Sequence, residues 1–195
     1  MILKTILNIK KSIKMKTMKI SKNFKLLLFG TLLLGTIASC KKDDSDGPKD
    51  YVGDWVTEKT VETVEGSLDL KDIVKFKEST FTETVSMYDP ISDEWINMIG
   101  RKGDFTAEDG EMDVTITAIG YSTEDDITGY PTGNIVYYKD GTDEFDELLV
   151  ELEMSKNYKA LYTIEDDKLT LKADDNNNGK YDDEDEVNIF TRKKP

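Results

Sequence analysis

Beyond residue 50 the chain alternates apolar and polar side chains with a period of two. In STFTETVSMY, Phe81, Val85 and Met87 share one face, with Glu83 the exception, while Thr80, Thr82, Thr84 and Ser86 share the other. Successive side chains of an extended chain point to opposite faces, so this pattern predicts a half-buried strand. DVTITAIGY alternates Val114 and Ile116 before Ile119, KLTLKA alternates Leu169 and Leu171, and EVNIFTR sets Val187, Ile189 and Thr191 against Phe190 and Arg192. Turn-forming pairs fall between such runs at Asp89-Pro90, Asp109-Gly110, Asp140-Gly141 and Asn178-Gly179, and each predicts a hairpin. FTAEDGEMDVT (105–115) and YTIEDDKLTLK (162–172) echo one another, as two similar hairpins of a meander would.

Two segments depart from this rhythm. EFDELLVELEMSK, Glu144 to Lys156, carries Phe145, Leu148, Leu149 and Leu152 at helical spacing, but also Leu148, Val150, Leu152 and Met154 in alternation; helix and strand both fit. GYSTEDDITGYPTG, Gly120 to Gly133, is polar and long enough to be a mobile loop. An antiparallel sheet of about eight strands must curl, split or close to hide its edges. The expected fold is therefore all-β, a single antiparallel meander closing into an up-and-down barrel over residues 51–195, with room for one short helix.

The first 50 residues are different material. No Asp or Glu occurs before Asp43, and eight lysines precede the apolar run LLLFGTLLLGTIAS, Leu26 to Ser39. At 14 residues that run is short for a membrane span of about 20 and suits the apolar core of an export signal. Met15 and Met18 each precede a conventional basic start, so either could be the initiator. The run ends in LGTIASC, which resembles the lipobox of bacterial lipoproteins: Ile37 three before the cysteine, then Ala38 and Ser39, then Cys40. The resemblance implies that residues 1–39 are a signal peptide and that Cys40 carries diacylglycerol and an N-linked acyl group such as palmitate. Three acyl chains, at about 0.8 kcal/mol per buried CH₂, anchor a protein to a membrane effectively permanently.

Without residues 1–39 the chain keeps 18 Lys and Arg against 40 Asp and Glu, a net charge of −22. A phosphate backbone needs a basic stripe, so nucleic acid is excluded as a partner. Residues 40–50, the cysteine followed by KKDDSDGPKD, read as a flexible acidic tether. The CKKDDSD pattern resembles the surface-export tract of Bacteroidota lipoproteins, which implies an outer-membrane protein facing outward; a plain solvated linker reads the same residues.

The opening strand contains Gly53-Asp54-Trp55, which resembles the Gly-any-Trp signature of lipocalins and lipocalin-like lipoproteins. In that family the tryptophan fills the closed end of the barrel and a basic residue of the last strand lies on its ring. The resemblance implies that Gly53 permits close approach, Trp55 forms the floor and Arg192 is its cation-π partner. The family's second and third signatures are not recognisable here.

Little in the chain supports catalysis. There is no histidine and Cys40 is the only cysteine, which removes Ser-His-Asp and Cys-His arrangements and histidine-rich zinc sites. The protein is expected not to be an enzyme, although the composition still permits a carboxylate pair for glycoside hydrolysis. One stretch has metal-ligand spacing. In DDNNNGKYDDED, Asp174, Asn176, Asn178, the Lys180 carbonyl, Asp182 and Asp185 occupy positions 1, 3, 5, 7, 9 and 12 of a calcium loop, with Gly179 at position 6. The spacing is similar to the EF-hand family, nearest its dockerin-like form, and implies Ca²⁺; a solvated hairpin tip between two strands is the other reading. Tyr121, Tyr130, Tyr137, Tyr138, Tyr158 and Tyr162 could line a barrel mouth or be ordinary strand and loop residues. The expected function is a lipid-anchored envelope module holding a small apolar or amphipathic ligand. The alternative is a structural or adhesive surface lipoprotein, calcium-stabilised, with a filled barrel that meets a glycan or protein.

Overall fold

The alternating segments pair in chain order, each strand hydrogen-bonding the next except at one place, where an outlying strand and a helix intervene. The structure, a computed structural model, describes residues 49–63, 66–174, 181 and 187–193. Its strands are β1 (Gly53–Thr63), β2 (Gly66–Phe76), β3 (Thr80–Asp89), β4 (Glu94–Glu108), β5 (Glu111–Glu124), β6 (Pro131–Lys139), β7 (Asn157–Glu165), β8 (Lys168–Asp174) and β9 (Val187–Arg192), with one helix, α1 (Asp143–Glu151), between β6 and β7. All pairings are antiparallel. Eight strands close a ring in the order β1-β2-β3-β4-β5-β7-β8-β9 and back to β1, an all-β barrel consistent with a lipocalin-like fold.

The ninth strand sits outside the ring. The first half of β5, Glu111 to Thr115, pairs with β7, whereas its second half, from Ala118, pairs with β6. A register shift at Lys102/Gly103 between β4 and β5 bends the sheet near the point of divergence. Tyr137 of β6 lies over Gly100; a Cβ at Gly100 would overlap its hydroxyl oxygen, so only a glycine there leaves room for that ring.

The Asp109-Gly110 turn has positive φ at both residues, 49° and 85°, as a two-residue hairpin that follows the twist of its strands requires. The Asp166-Asp167 turn joins β7 to β8, and the two echoing hairpins lie side by side: the Tyr162 amide donates to the Gly110 carbonyl at 2.8 Å. Two expectations need correction. Asp140-Gly141 does not join two strands. Thr142 follows it and accepts from the Phe145 amide as a helix N-cap, so the chain turns into α1 instead. Gly120–Gly133 is mostly strand: β5 runs to Glu124 and β6 starts at Pro131, leaving a short loop held by Asp125. The ambiguous 144–156 segment is helical through Glu151 because that periodicity buries Phe145, Leu148 and Leu149 together.

The interior has two apolar layers. The lower comprises Tyr51, Trp55, Phe76, Phe81, Phe105, Met112, Leu169 and Phe190 among others. Edge-to-face contacts hold it: Tyr51–Phe105 and Phe76–Phe105 have centroids 5.3 Å apart. The upper joins Val85, Ile99, Ile116 and Ile119 of the barrel wall to Phe145, Leu148, Leu149 and Leu152, so α1 covers that part of the interior.

Candidate functional site

Between the two layers the barrel interior turns polar. Glu83, the exception on the apolar face of β3, points inward with Phe81 and Val85, and its register partner on β4 is Arg101. Their side chains form an ion pair that is about nine-tenths buried, at 8% and 10% exposure. The Arg101 Nη1 also lies 3.5 Å from the Met154 sulfur, beyond the end of α1. Asp72 on β2 is inward by the same alternation, one row further up, with Lys59 of β1 close enough to act on it.

Burial and neighbouring charges act on Asp72, Arg101 and Lys59. Burial raises the Asp72 carboxyl well above the usual carboxylate range, and the charge of Glu83 and a hydrogen bond to it add to the effect, while Arg101 and Lys59 oppose it. Burial is the largest single influence on Arg101 and disfavours its charge, but the charge of Glu83 and its hydrogen bond, together with Tyr158 and Asp72, outweigh it and hold the guanidinium protonated. Burial lowers the Lys59 ammonium, against the opposing pull of Asp72 and Glu83. Asp72 therefore tends to the neutral acid beside the Glu83–Arg101 contact. Two buried atoms have no hydrogen-bond partner among the described residues, Asp72 Oδ1 and the Tyr121 hydroxyl. They sit on one row of the wall, Asp72↔Val85↔Ile99↔Tyr121.

A cavity of about 60 Å³ lies against this pair. Glu83, Arg101, Tyr158 and Asn188 supply its polar lining, and Phe76, Phe81, Met112, Val114 and Phe190 much of the apolar part. One water needs about 10–15 Å³ on this scale, so the space holds a few waters or a molecule of a few heavy atoms. One end of such a guest would meet a fixed donor and acceptor, the other aromatic carbon.

Each residue singled out from sequence has a place or lies outside the described chain. Trp55 is fully buried in the lower layer and donates from Nε1 to the Tyr51 carbonyl at 2.8 Å. Arg192 is its register partner; the guanidinium carbon stands 4.3 Å from the Trp55 ring centroid. It also donates to the Val52 carbonyl at 3.0 Å and to that of Asp50. Gly53 has φ +143°, and a Cβ there would lie 3.0 Å from Arg192 Nη1. Asp174 ends β8, buried at 4% exposure. Asn176, Asn178, Lys180, Asp182 and Asp185 lie outside the described residues, as does Cys40. Among the described residues no group of three or more His, Cys, Asp or Glu is arranged to hold a metal. The tyrosines do not gather: Tyr158 lines the cavity, Tyr121 faces the upper interior, Tyr162 packs on Tyr51 at 5.8 Å, and Tyr137 lies over Gly100.

Sequence reading missed Arg101 and Asp72. The signal was present: Ile99, Arg101, Gly103, Phe105 and Leu70, Asp72, Val74, Phe76 are apolar-face alternations, each interrupted by one charge. No protein-family model matches the chain, and no curated protein matches it.

Proposed function

We propose that the chain is a lipid-anchored binding module of the cell envelope, attached at the outer membrane through acylated Cys40 and displayed on the cell surface, with no catalytic activity. The observation that carries this reading is the 60 Å³ cavity between the aromatic layer and the buried Glu83–Arg101 pair. A ligand suited to it is small and amphipathic, its apolar part against Phe76, Phe81 and Phe190 and its polar end toward Arg101 and Glu83. Sites for drug-sized molecules run to about 300–1,000 Å³, so a larger ligand requires α1 to leave the upper interior.

The test is a thermal and native-mass titration of the full chain, carried on lipid nanodiscs, with short-chain carboxylic acids and their primary amides. The expected result is a saturable rise in midpoint, about 2.7 kcal/mol of stabilisation at a hundredfold excess over Kd. Ala160→Leu, which fills the cavity from β7, should abolish it. No shift with any compound, or a shift that survives Ala160→Leu, removes the reading.

The small size of the cavity favours a second reading. A largely filled barrel suits a structural or adhesive lipoprotein whose last hairpin is stapled by Ca²⁺ at Asp174, Asn176, Asn178, Lys180, Asp182 and Asp185. Calorimetric titration of calcium into the metal-free full chain and its Asp174→Ala variant separates the two. Saturable heat lost in the variant supports the staple; no heat up to several millimolar removes it.

A further inference from the structure

Two hairpin tips at one end of the barrel share a local design. Asp89-Pro90-Ile91-Ser92 follows β3, and Asp125-Asp126-Ile127-Thr128 follows β5. In the first, the Asp89 carboxylate accepts from the Ile91 amide at 3.1 Å, the Ser92 amide at 3.2 Å and the Ser92 hydroxyl at 2.7 Å. In the second, Asp125 accepts from the Ile127 amide at 3.1 Å, the Thr128 amide at 2.8 Å and the Thr128 hydroxyl at 2.9 Å. These donors hold both carboxyls below the usual carboxylate range, so both turns are locked by ionised caps. The tips also touch: the Tyr130 side chain hydrogen-bonds Asp89, and Asn97 Nδ2 reaches the Gly133 carbonyl at 3.4 Å.

What the locked turns present is apolar. Ile91 is 93% and Ile127 81% exposed, with Tyr130 beside them at 41%. Scattered surface hydrophobes need no explanation. Here, however, two isoleucines occupy the same place in two copies of one Asp-any-Ile-Ser/Thr turn, on adjoining hairpins, with their backbones fixed before any contact is made. Fixing the contact residues in advance removes an ordering cost that binding otherwise carries.

The surroundings specify the partner. Residues 87–100 and 120–133 contain no Lys or Arg, while Asp89, Asp93, Glu94, Glu124, Asp125 and Asp126 surround the isoleucines. The nearby Lys71 ammonium is held 4.0 Å over the Trp95 ring and 2.7 Å from Glu58. Lipid phosphates are repelled by such a surface, and so is a second copy of the same tips. The tips also stand at the opposite end of the barrel from Gly53, where the chain enters β1: Gly53 pairs with Phe76 and Phe76 with Phe81, whereas Asp89 ends β3.

We infer that the Ile91 and Ile127 tips form a docking surface for another protein, one whose apolar pocket is rimmed by Lys and Arg. The two side chains fill the pocket and the tip carboxylates meet the basic rim, which adds steering at low salt.

The experiment places a photo-crosslinking residue at 91, at 127 and, as a control, at the 78%-exposed Val150 of α1, in the full chain in cells that make it. The expected result is one and the same protein adduct from 91 and 127 and none from 150. It should be lost from either tip when the other isoleucine is Ser, and lost again in Glu94→Lys/Asp126→Lys. With that protein purified, Ile91→Ser should weaken binding to the full chain at least tenfold, about 1.4 kcal/mol. Both isoleucines are exposed, so the variants should keep the wild-type melting midpoint, which excludes misfolding as the cause. A lipid adduct, different proteins at the two tips, equal labelling at 150, labelling that survives charge reversal, or no adduct at all overturns the inference.

Discussion

Replacing Arg101 with methionine isolates the energetics of the barrel's polar centre. The substitution keeps an unbranched, largely apolar stem but removes the guanidinium, and with it the charge that compensates Glu83. Glu83 has 8% of its side chain exposed and Asp72 hydrogen-bonded to it, so bulk water does not take over the lost role. Removing one partner of a buried pair costs about 3–5 kcal/mol, because the other charge stays desolvated. A domain's total stability is about 5–15 kcal/mol, so about a fifth of it or more would go. With a urea m-value of about 2 kcal/mol/M, the midpoint of unfolding should fall by roughly 1.5–2.5 M. Trp55, buried in the lower layer, reports the transition by fluorescence.

The double variant Glu83→Leu/Arg101→Met tests the cause, since it removes both members of the pair and leaves neither without the other; it should regain most of the lost stability. Lys159→Met serves as the scale. Its partner is Asp113 at 3.0 Å, with side chains 59% and 67% exposed, and breaking such a pair costs under about 1 kcal/mol. If Arg101→Met shifts the midpoint no further than Lys159→Met, or the double variant is no better than the single, then burial of this pair does not govern its energy and the reasoning fails.

Two further outcomes follow from the same geometry. Asp72 titrates higher in the fold than in the unfolded chain, so its contribution to stability is full below about pH 4, the unfolded value, and is lost as pH rises through the raised folded value. The stability difference between wild type and Asp72→Asn should therefore fall from pH 4 toward pH 8; a difference that rises or stays flat would contradict a neutral Asp72. Gly53→Ala puts a Cβ at φ +143° and against the Arg192 guanidinium, and should cost about 1–3 kcal/mol in chemical denaturation, with Trp55 fluorescence altered in the folded state. An Ala variant as stable as wild type would show that Arg192 moves aside without loss.

The strands were legible because a two-residue period is local, and so were Gly53, Trp55 and Arg192, which recur in a family-like order. What sequence reading could not supply was register. Glu83 and Arg101 are 18 residues apart and become a pair only because β3 and β4 align Phe81 with Gly103 and Val85 with Ile99. Glu83 stood out in advance as a breach of pattern, but its compensating charge could not be identified without that alignment. Asp140-Gly141 misled for a different reason. Its turn chemistry serves a hairpin or a helix entry alike, and the choice was made by the Thr142 cap and by the apolar face of α1. The two Asp-any-Ile-Ser/Thr turns were written in the sequence throughout, yet only their exposure and contact distinguish them from ordinary loops.

The junction of β1 and β9 bears on how the barrel comes to exist at all. Among the described residues two pairs, Trp55↔Arg192 and Val56↔Thr191, join these strands, against eleven between β1 and β2. The Arg192 guanidinium reaches the Val52 carbonyl across 140 residues of chain. A contact so distant must overcome the entropy of closing a very long loop, so it forms late, after the neighbouring hairpins have brought its partners near. For a chain made from its N-terminus onward, the second edge of β1 must wait until β9 has been synthesised. Until Arg192 appears, a growing chain can hold hairpins and an open sheet but not a closed barrel.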